Sequence, residues 1–145
     1  MFADLLRGLL APAPKPLPDP DARLALAALL VRLARTDRLY SAEEVERIDR
    51  VLMQRHGLTA PEAAALRERA ETLELQAPDT IRFTKALKDA VPLDHRIDLL
   101  QALWSVALAD GQRNADEDQM LRLVANLLGV SDVDSGIARQ RAEKE

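Results

Sequence analysis

The sequence predicts an all-α fold, a compact bundle of about seven helices built from two pseudo-repeated helical hairpins. The hydrophobic fraction of 48% rests on Leu, Ala and Val, with only 3% aromatic residues and five Gly. Ala and Leu are strong helix formers, whereas strands favour β-branched and aromatic residues. Apolar residues recur every three or four positions, and no stretch alternates apolar and polar residues for long. We therefore predict no sheet.

Composition and charge exclude several classes of protein. The chain has 145 residues, the size of one domain, and no Cys, which excludes disulfides, thiolate catalysis and Cys-based metal sites. Its net charge of −4 lacks the basic excess of a nucleic-acid-binding protein. No apolar run approaches the roughly 20 residues of a membrane span. We expect a cytoplasmic protein.

Residues 1–18 differ from the main domain, which we place at residues 19–145. Five apolar residues share one face of a short predicted helix: Phe2, Leu5, Leu6, Leu9 and Leu10. Pro then occupies every second position from 12 to 20, which predicts a stiff, extended spacer. Because so short a helix is marginal alone, we expect it to dock on its own domain, a second copy or a membrane surface. It lacks the Lys and Arg cluster of membrane-surface helices, which favours the first two.

The main domain begins with a helix that is apolar on nearly every side. Asp19 is its predicted N-cap and Pro20 its first residue, where a missing N–H costs nothing. The apolar run over 23–34 is interrupted mainly by Arg32, which predicts burial on most sides. A second such helix is predicted over residues 93–109, apolar on nearly every side in its second half.

The remaining predicted helices cover residues 41–57, 59–77, 79–90, 115–129 and the segment from 131 onward. Ser41 and Thr59 are each followed by Glu three residues later, the spacing of a capping box. Gly57 and Gly129 are the expected stops of their helices. The last segment, from Ser131, is polar, and we expect its end to fray.

The two nearly apolar helices each lead into a similar unit. Four pairs align at one constant offset of 73 positions: Asp37 with Asp110, Glu44 with Glu117, Ile48 with Leu121, and Val51 with Val124. After one extra residue in the first unit, Gly57-Leu58-Thr59 match Gly129-Val130-Ser131. Each unit is a buried helix, an acidic turn, a capped amphipathic helix and a Gly stop. We expect the units to pack around the two buried helices with pseudo-twofold character.

The acidic turns have a purely structural interpretation. The spacing of the capping box Ser41 to Glu44 recurs from Asn114 to Glu117. Acidic residues in the first turn of a helix are favoured by the helix dipole, and Asp is an ordinary turn former. Every acidic residue of the turns is then explained without a ligand.

The alternative is a divalent-cation site, since hard cations take several oxygen ligands from carboxylates and carbonyls. The second turn offers four such side chains within a short stretch: Asp110, Asn114, Asp116 and Glu117. The loop is not an EF-hand, because Ala115 stands where that loop needs Gly and Leu121 where it needs Glu.

Other chemically distinctive residues favour structural roles. His56 precedes a Gly stop, where a cation suits the helix dipole, and His95 is expected at the surface beside Asp94. Two distant His without an HExxH motif argue against catalytic zinc. Trp104 lies in an apolar helix and is expected in the core. A basic stripe fits a solvated face, with an acidic partner as the alternative: Arg82, Lys85 and Lys88.

The stretch ARTDRLYSAEEVERIDRVLMQRHGLT, together with ALADGQRNADEDQMLRLVANLLGVS, resembles the TerB-like family. That family includes the bacterial tellurite-resistance protein TerB and is similar to the N-terminal domain of the DnaJ-like co-chaperone DjlA. The resemblance covers residues 23–131 and implies an all-α domain related to bacterial stress proteins. In those proteins acidic residues have been proposed to bind metal.

Carried over to this chain, the resemblance implies a metal set of Asp37, Glu44, Asp110 and Glu117. The first unit departs from the pattern, because Arg38 stands where the second unit has Gly111. This difference puts an identical role for the two turns in doubt. The chain has no His-Pro-Asp triplet, so a J-domain and a direct co-chaperone role are not supported.

We therefore expect a non-enzymatic TerB-like module of the bacterial stress or tellurite-resistance type. It would bind an unidentified protein partner, with a divalent cation at its acidic turns as the only candidate cofactor. One rival function is a membrane-surface accessory protein tethered through residues 1–10. Another is a metal-dependent hydrolase using the same carboxylates, which would need a deep pocket between the units.

Overall fold

The computed structural model describes residues 21–36, 40–77, 79–109, 111 and 115–145. These residues form seven α-helices: α1 (Ala22–Ala34), α2 (Ala42–His56), α3 (Ala60–Gln76), α4 (Ile81–Ala90), α5 (Arg96–Ala107), α6 (Ala115–Leu127) and α7 (Asp132–Glu143). A 3₁₀ turn at Leu93–His95 leads into α5. No strand occurs in the described ranges, which confirms the predicted fold class. None of these helices is both long and apolar enough to cross a bilayer. The segment of residues 1–18 lies outside the described residues.

The helix boundaries repeat at the offset found in the sequence. α1 and α5 end at the equivalent positions Ala34 and Ala107, and α2 and α6 begin at Ala42 and Ala115. After the extra residue in the first unit, α3 and α7 also begin at equivalent positions. Each predicted hairpin is therefore followed by an equivalent third helix, and α4 connects the two units.

α1 and α5 form the centre of the core. Every residue from Ala25 to Val31 is buried in α1, and α5 buries Leu99, Leu100 and residues 102–107. α3 packs along α1, α7 packs along α5, and α2 and α6 each contact both central helices. A helix apolar on all sides is stable only when it is covered on all sides, and this arrangement provides that cover.

Side-chain caps set the starts of several helices. Both predicted capping boxes are present, at Ser41 and at Thr59. The predicted start of α1 was two residues early, because the N-cap is Asp21, whose carboxylate accepts a hydrogen bond from the Leu24 N–H at 2.8 Å. Asp is an equally good cap at either position, so the sequence alone could not choose between them. Gly57 ends α2 in the left-handed region, at a φ of 65° that other residues rarely adopt.

The polar C-terminal segment, whose end was expected to fray, is helical up to its last two residues. Ser131 caps α7, which runs to Glu143. Ala138 and Ala142 are buried against α5, and the Gln101 amide donates to a Glu145 carboxylate oxygen at 2.7 Å. Small apolar residues at i and i+4 lie on one face of a helix, and here that face packs on α5.

Candidate functional site

The structure places Glu44 and Glu117 at equivalent positions in the first turns of α2 and α6. Both side chains are buried, at 0% and 2% exposure. Glu is almost never fully buried in proteins, because a carboxylate loses much hydration free energy when it leaves water. The burial of this carboxylate in both units is therefore the most unusual chemical feature that the repeat carries.

Hydrogen bonds at the start of its own helix compensate part of the charge of the Glu44 carboxylate. Its Oε1 accepts hydrogen bonds from the Ser41 N–H at 3.1 Å and the Ser41 hydroxyl at 3.0 Å. The Glu44 N–H in turn donates to Ser41 Oγ at 3.1 Å. Glu44 and Glu117 both take part in further polar interactions. The structural interpretation of the first acidic turn is thus correct for Ser41 and Glu44.

The other half of the predicted metal set, Asp37 and Asp110, lies outside the described residues, as does Asn114. Among the residues that the structure describes, no group of three or more His, Asp or Glu side chains is placed to hold a metal ion. The donor type nevertheless suits a hard divalent cation, because buried Glu oxygens are the ligands that such ions prefer. The four-residue cation site stays a prediction.

Each acidic helix is tied to the central helix of the other unit. The guanidinium of Arg47, one turn after Glu44, donates to Ser105 Oγ on α5 at 2.9 Å. The Thr36 hydroxyl, just past α1, lies 3.9 Å from Met120 Sδ, one turn after Glu117. The two buried carboxylates therefore lie on helices that pack across the boundary between the units.

An ionic network on α3 is a feature that the sequence did not reveal. Arg32 donates to the Ala77 carbonyl at 2.7 Å and to the Glu74 carbonyl at 3.0 Å, and its guanidinium lies 5.2 Å from the centre of the Phe83 ring. Arg35 also pairs with Glu74, at 2.8 Å. Arg32, which interrupts the apolar run of α1, therefore caps the C-terminal end of α3 by donating to its last carbonyls. Its isolation in that run was the only sequence signal.

Tyr40 lies beside this network. The Arg35 guanidinium stacks over its ring at 5.1 Å. Burial, followed by the nearby Glu71 carboxylate, raises the pKa of the Tyr40 phenol well above its usual range. The phenol therefore stays neutral at physiological pH and cannot serve as a general base there.

His95 has the surface position that the sequence predicted, whereas the surroundings of His56 disfavour the helix-end cation that was expected there. His95 is exposed, with its ring nitrogens 4.0 Å from Asp94 and Asp98. Burial lowers the pKa of His56, and the cationic Arg23 and Arg55 nearby lower it further. Within the described ranges neither imidazole is hydrogen-bonded to a Ser or Thr hydroxyl. These residues thus form no hydroxyl–imidazole pair for nucleophilic catalysis.

A groove does run between the units, but it does not contain the acidic pair. It lies between α2 and α5 and is lined by Val51, Gln54, Arg55, Asp98, Gln101, Ala102 and Glu145. Glu44 and Glu117 lie elsewhere, in the core. The pocket that a metal-dependent hydrolase would need is therefore not formed by this groove.

Comparison with known proteins gives one match. Residues 23–140 match the family model described as tellurite resistance protein TerB. No curated protein and no solved structure matches the chain. The matched region covers the seven described helices except the first residue of α1 and the last three of α7, and it agrees with the resemblance read from the two repeated stretches.

Proposed function

This chain belongs to the TerB family, and from that premise we propose that it works in the cytoplasm as a non-enzymatic helical module that binds protein partners. We further propose that a divalent cation at the acidic turns belongs to this function. The observation that carries the proposal is the burial of Glu44 and Glu117 at equivalent positions in the two units.

Removing a carboxylate from water is unfavourable unless charge or hydrogen bonds compensate for it, and a capping box needs no burial to form. Glu62 shows this directly, because it completes the capping box of α3 while fully exposed. The burial of Glu44 and Glu117 therefore supports a role beyond capping, and a bound cation would further stabilise the two buried carboxylates.

The non-enzymatic part rests on the chemistry of the described side chains. The one Tyr is neutral, and neither His approaches a hydroxyl nucleophile. The buried Ser105 hydroxyl instead accepts a hydrogen bond from Arg47. These groups support packing and ion pairing, which suits a binding module.

Thermal unfolding tests the cation. The intact protein is melted in EDTA and then with Ca²⁺, Mg²⁺, Mn²⁺ or Zn²⁺, beside Glu44→Gln, Glu117→Gln and Asp110→Asn. A cation at a hundredfold above its Kd that binds only the native state adds about 2.7 kcal/mol of stability. We expect an upward shift that each of the three variants loses.

Glu62→Gln is the matched control, since Glu62 occupies the same capping position on the surface. It should keep the full shift. The proposal of a cation fails if no metal stabilises the protein, or if Glu62→Gln abolishes the shift as completely as Glu117→Gln does.

Partner binding needs its own assay. Affinity capture with the intact chain, in EDTA and in the stabilising cation, should retain proteins that Glu117→Gln does not retain. Contact with a membrane through residues 1–10 stays a prediction. If the intact protein sediments with anionic liposomes and the variant without residues 1–18 does not, the protein functions at a membrane surface.

A further inference from the structure

A groove between α6 and α7 opens over the only Trp of the chain. It is lined by Trp104, Asp118, Arg122, Asp132, Ser135, Gly136 and Arg139. Trp104 is 8% exposed, and the Arg139 guanidinium lies 5.2 Å from the centre of its indole ring. The groove thus combines an aromatic floor with two guanidinium groups.

The equivalent place in the first unit is closed. There Arg67 of α3 donates to the Asp49 carboxylate of α2 at 2.6 Å, and both side chains are largely buried. The same Arg67 pairs with Glu71 one turn later, at 2.9 Å. The Arg67–Asp49 pair is a clamp that joins the middle of α2 to the middle of α3.

The second unit keeps half of this clamp. Arg139 is the equivalent of Arg67, and it pairs with Glu143 at 3.0 Å as Arg67 does with Glu71. The equivalent of Asp49, however, is Arg122. α6 and α7 therefore make far less contact than α2 and α3, and the groove stays open between them.

The groove thus presents Arg122 at the position where the first unit has the carboxylate of Asp49. Arg122 is exposed and makes no ion pair or hydrogen bond with any other residue in the described part of the chain. Asp118 and Asp132 also line the groove, but both lie in first helical turns, where the helix dipole compensates a carboxylate. Among the described residues of the second unit, no carboxylate of α6 pairs with Arg139 as Asp49 of α2 pairs with Arg67.

We propose that this groove binds an acidic segment of a partner protein, with one Asp or Glu carboxylate placed between Arg122 and Arg139 as Asp49 is placed against Arg67. Arg is suited to this contact, because its planar guanidinium binds carboxylates with two donors and stacks on aromatic rings. The inference rests on the proposed function in one respect, that the domain works by binding proteins. It adds the location of the surface and the chemistry of the partner.

Trp104 reports on the groove, because it is the only Trp and lies under Arg139. The intact protein in EDTA is titrated with an eight-residue acetylated Glu/Ala peptide and with the matching Gln/Ala peptide, and indole fluorescence is followed. We expect the Glu/Ala peptide to bind at least about tenfold more tightly, the factor that corresponds to about 1.4 kcal/mol.

Two substitutions of Arg122 distinguish binding of the peptide in the groove from general electrostatic attraction to the protein. Arg122→Asp recreates the ion pair of the first unit with Arg139 and should lower affinity for the Glu/Ala peptide by about tenfold or more, and Arg122→Gln should lower it by less. Arg141→Gln is the matched control, because Arg141 lies on α7, the helix of Arg139, is exposed like Arg122, and lies 3.9 Å from Asp98, away from the groove. It should change the affinity less than about twofold.

The inference is overturned if the two peptides bind equally, if Arg141→Gln weakens binding as much as Arg122→Gln, or if Arg122→Asp still binds the peptide. It is also overturned if the peptide does not bind and Arg122→Asp instead converts a dimer to a monomer, since the occupant is then a second copy. Because the titration is done without cations, its failure leaves the cation-linked function untouched, and that function has its own assay.

Discussion

Glu44 and Glu62 occupy the same position of two capping boxes and differ mainly in burial, so replacing each with Ala isolates the effect of the buried environment. Glu44 Oε1 accepts from the Ser41 N–H at 3.1 Å, and Glu62 Oε1 accepts from the Thr59 N–H at 3.0 Å. Glu44 is 0% exposed, whereas Glu62 is on the surface.

The expected loss for Glu44→Ala follows from its contacts. A hydrogen bond to a charged group contributes about 1.5–3 kcal/mol, and the one buried methylene that the Ala variant loses contributes about 0.8 kcal/mol. The release of a buried charge offsets part of this loss. We expect Glu44→Ala to lower the free energy of unfolding by about 3 kcal/mol.

Urea unfolding in EDTA, followed by circular dichroism, measures this difference. Glu62→Ala should shift the midpoint only slightly, because water replaces the lost partner of an exposed N–H. Equal midpoint shifts for the two variants would refute the argument, since burial would then contribute nothing to the energetics of the first acidic turn.

Three further outcomes are expected. Leu30 and Leu103 are equivalent residues of the two central helices and both fully buried, so each substitution to Ala should cost about 2–5 kcal/mol in urea unfolding, with neither site spared. Gly129 has a φ of 71°, so Gly129→Ala should destabilise the protein by about 1–2 kcal/mol. Gly136, in contrast, lies inside α7 with open space around it, so Gly136→Ala should stabilise the protein by about 0.5–1 kcal/mol. Because burial lowers the pKa of His56 below its ordinary 6.5, the unfolded chain binds the proton more readily, and the melting temperature should fall as the pH drops below that value. His56→Gln should flatten this part of the profile, and an unchanged slope would remove His56 as its cause.

The sequence was most informative where local chemistry decides structure. Ser41 and Thr59 cap their helices as predicted, since a capping box depends on residues only three positions apart. The offset of 73 positions that Glu44 and Glu117 share with three other residue pairs predicted the duplication. Equivalent helices need equivalent caps and apolar faces, so the similarity appears at these positions. The start of α1 was misplaced by two residues because Asp19 and Asp21 are equally good caps.

The sequence was least informative where distant contacts decide structure. It could not show that Glu44 is buried while Glu62 is exposed, because burial depends on which helix packs over the first turn. Nor was the equivalence of α3 and α7 predicted, although Arg67 and Glu71 of α3 match Arg139 and Glu143 of α7. The clamp residue Asp49 of the first unit is replaced by Arg122 in the second. That substitution breaks the symmetry of the two units, and it becomes visible only when the helices are seen side by side.

The most direct test of the central claim is where a paramagnetic cation binds. In ¹⁵N-labelled protein, substoichiometric Mn²⁺ broadens the amide signals nearest to it. The proposed site predicts that residues 37–44 and 110–117 broaden first, that EDTA restores them, and that the double variant Glu44→Gln with Glu117→Gln does not respond. Broadening confined to exposed carboxylates such as Glu62, or unchanged in the double variant, would contradict a cation site at the acidic turns.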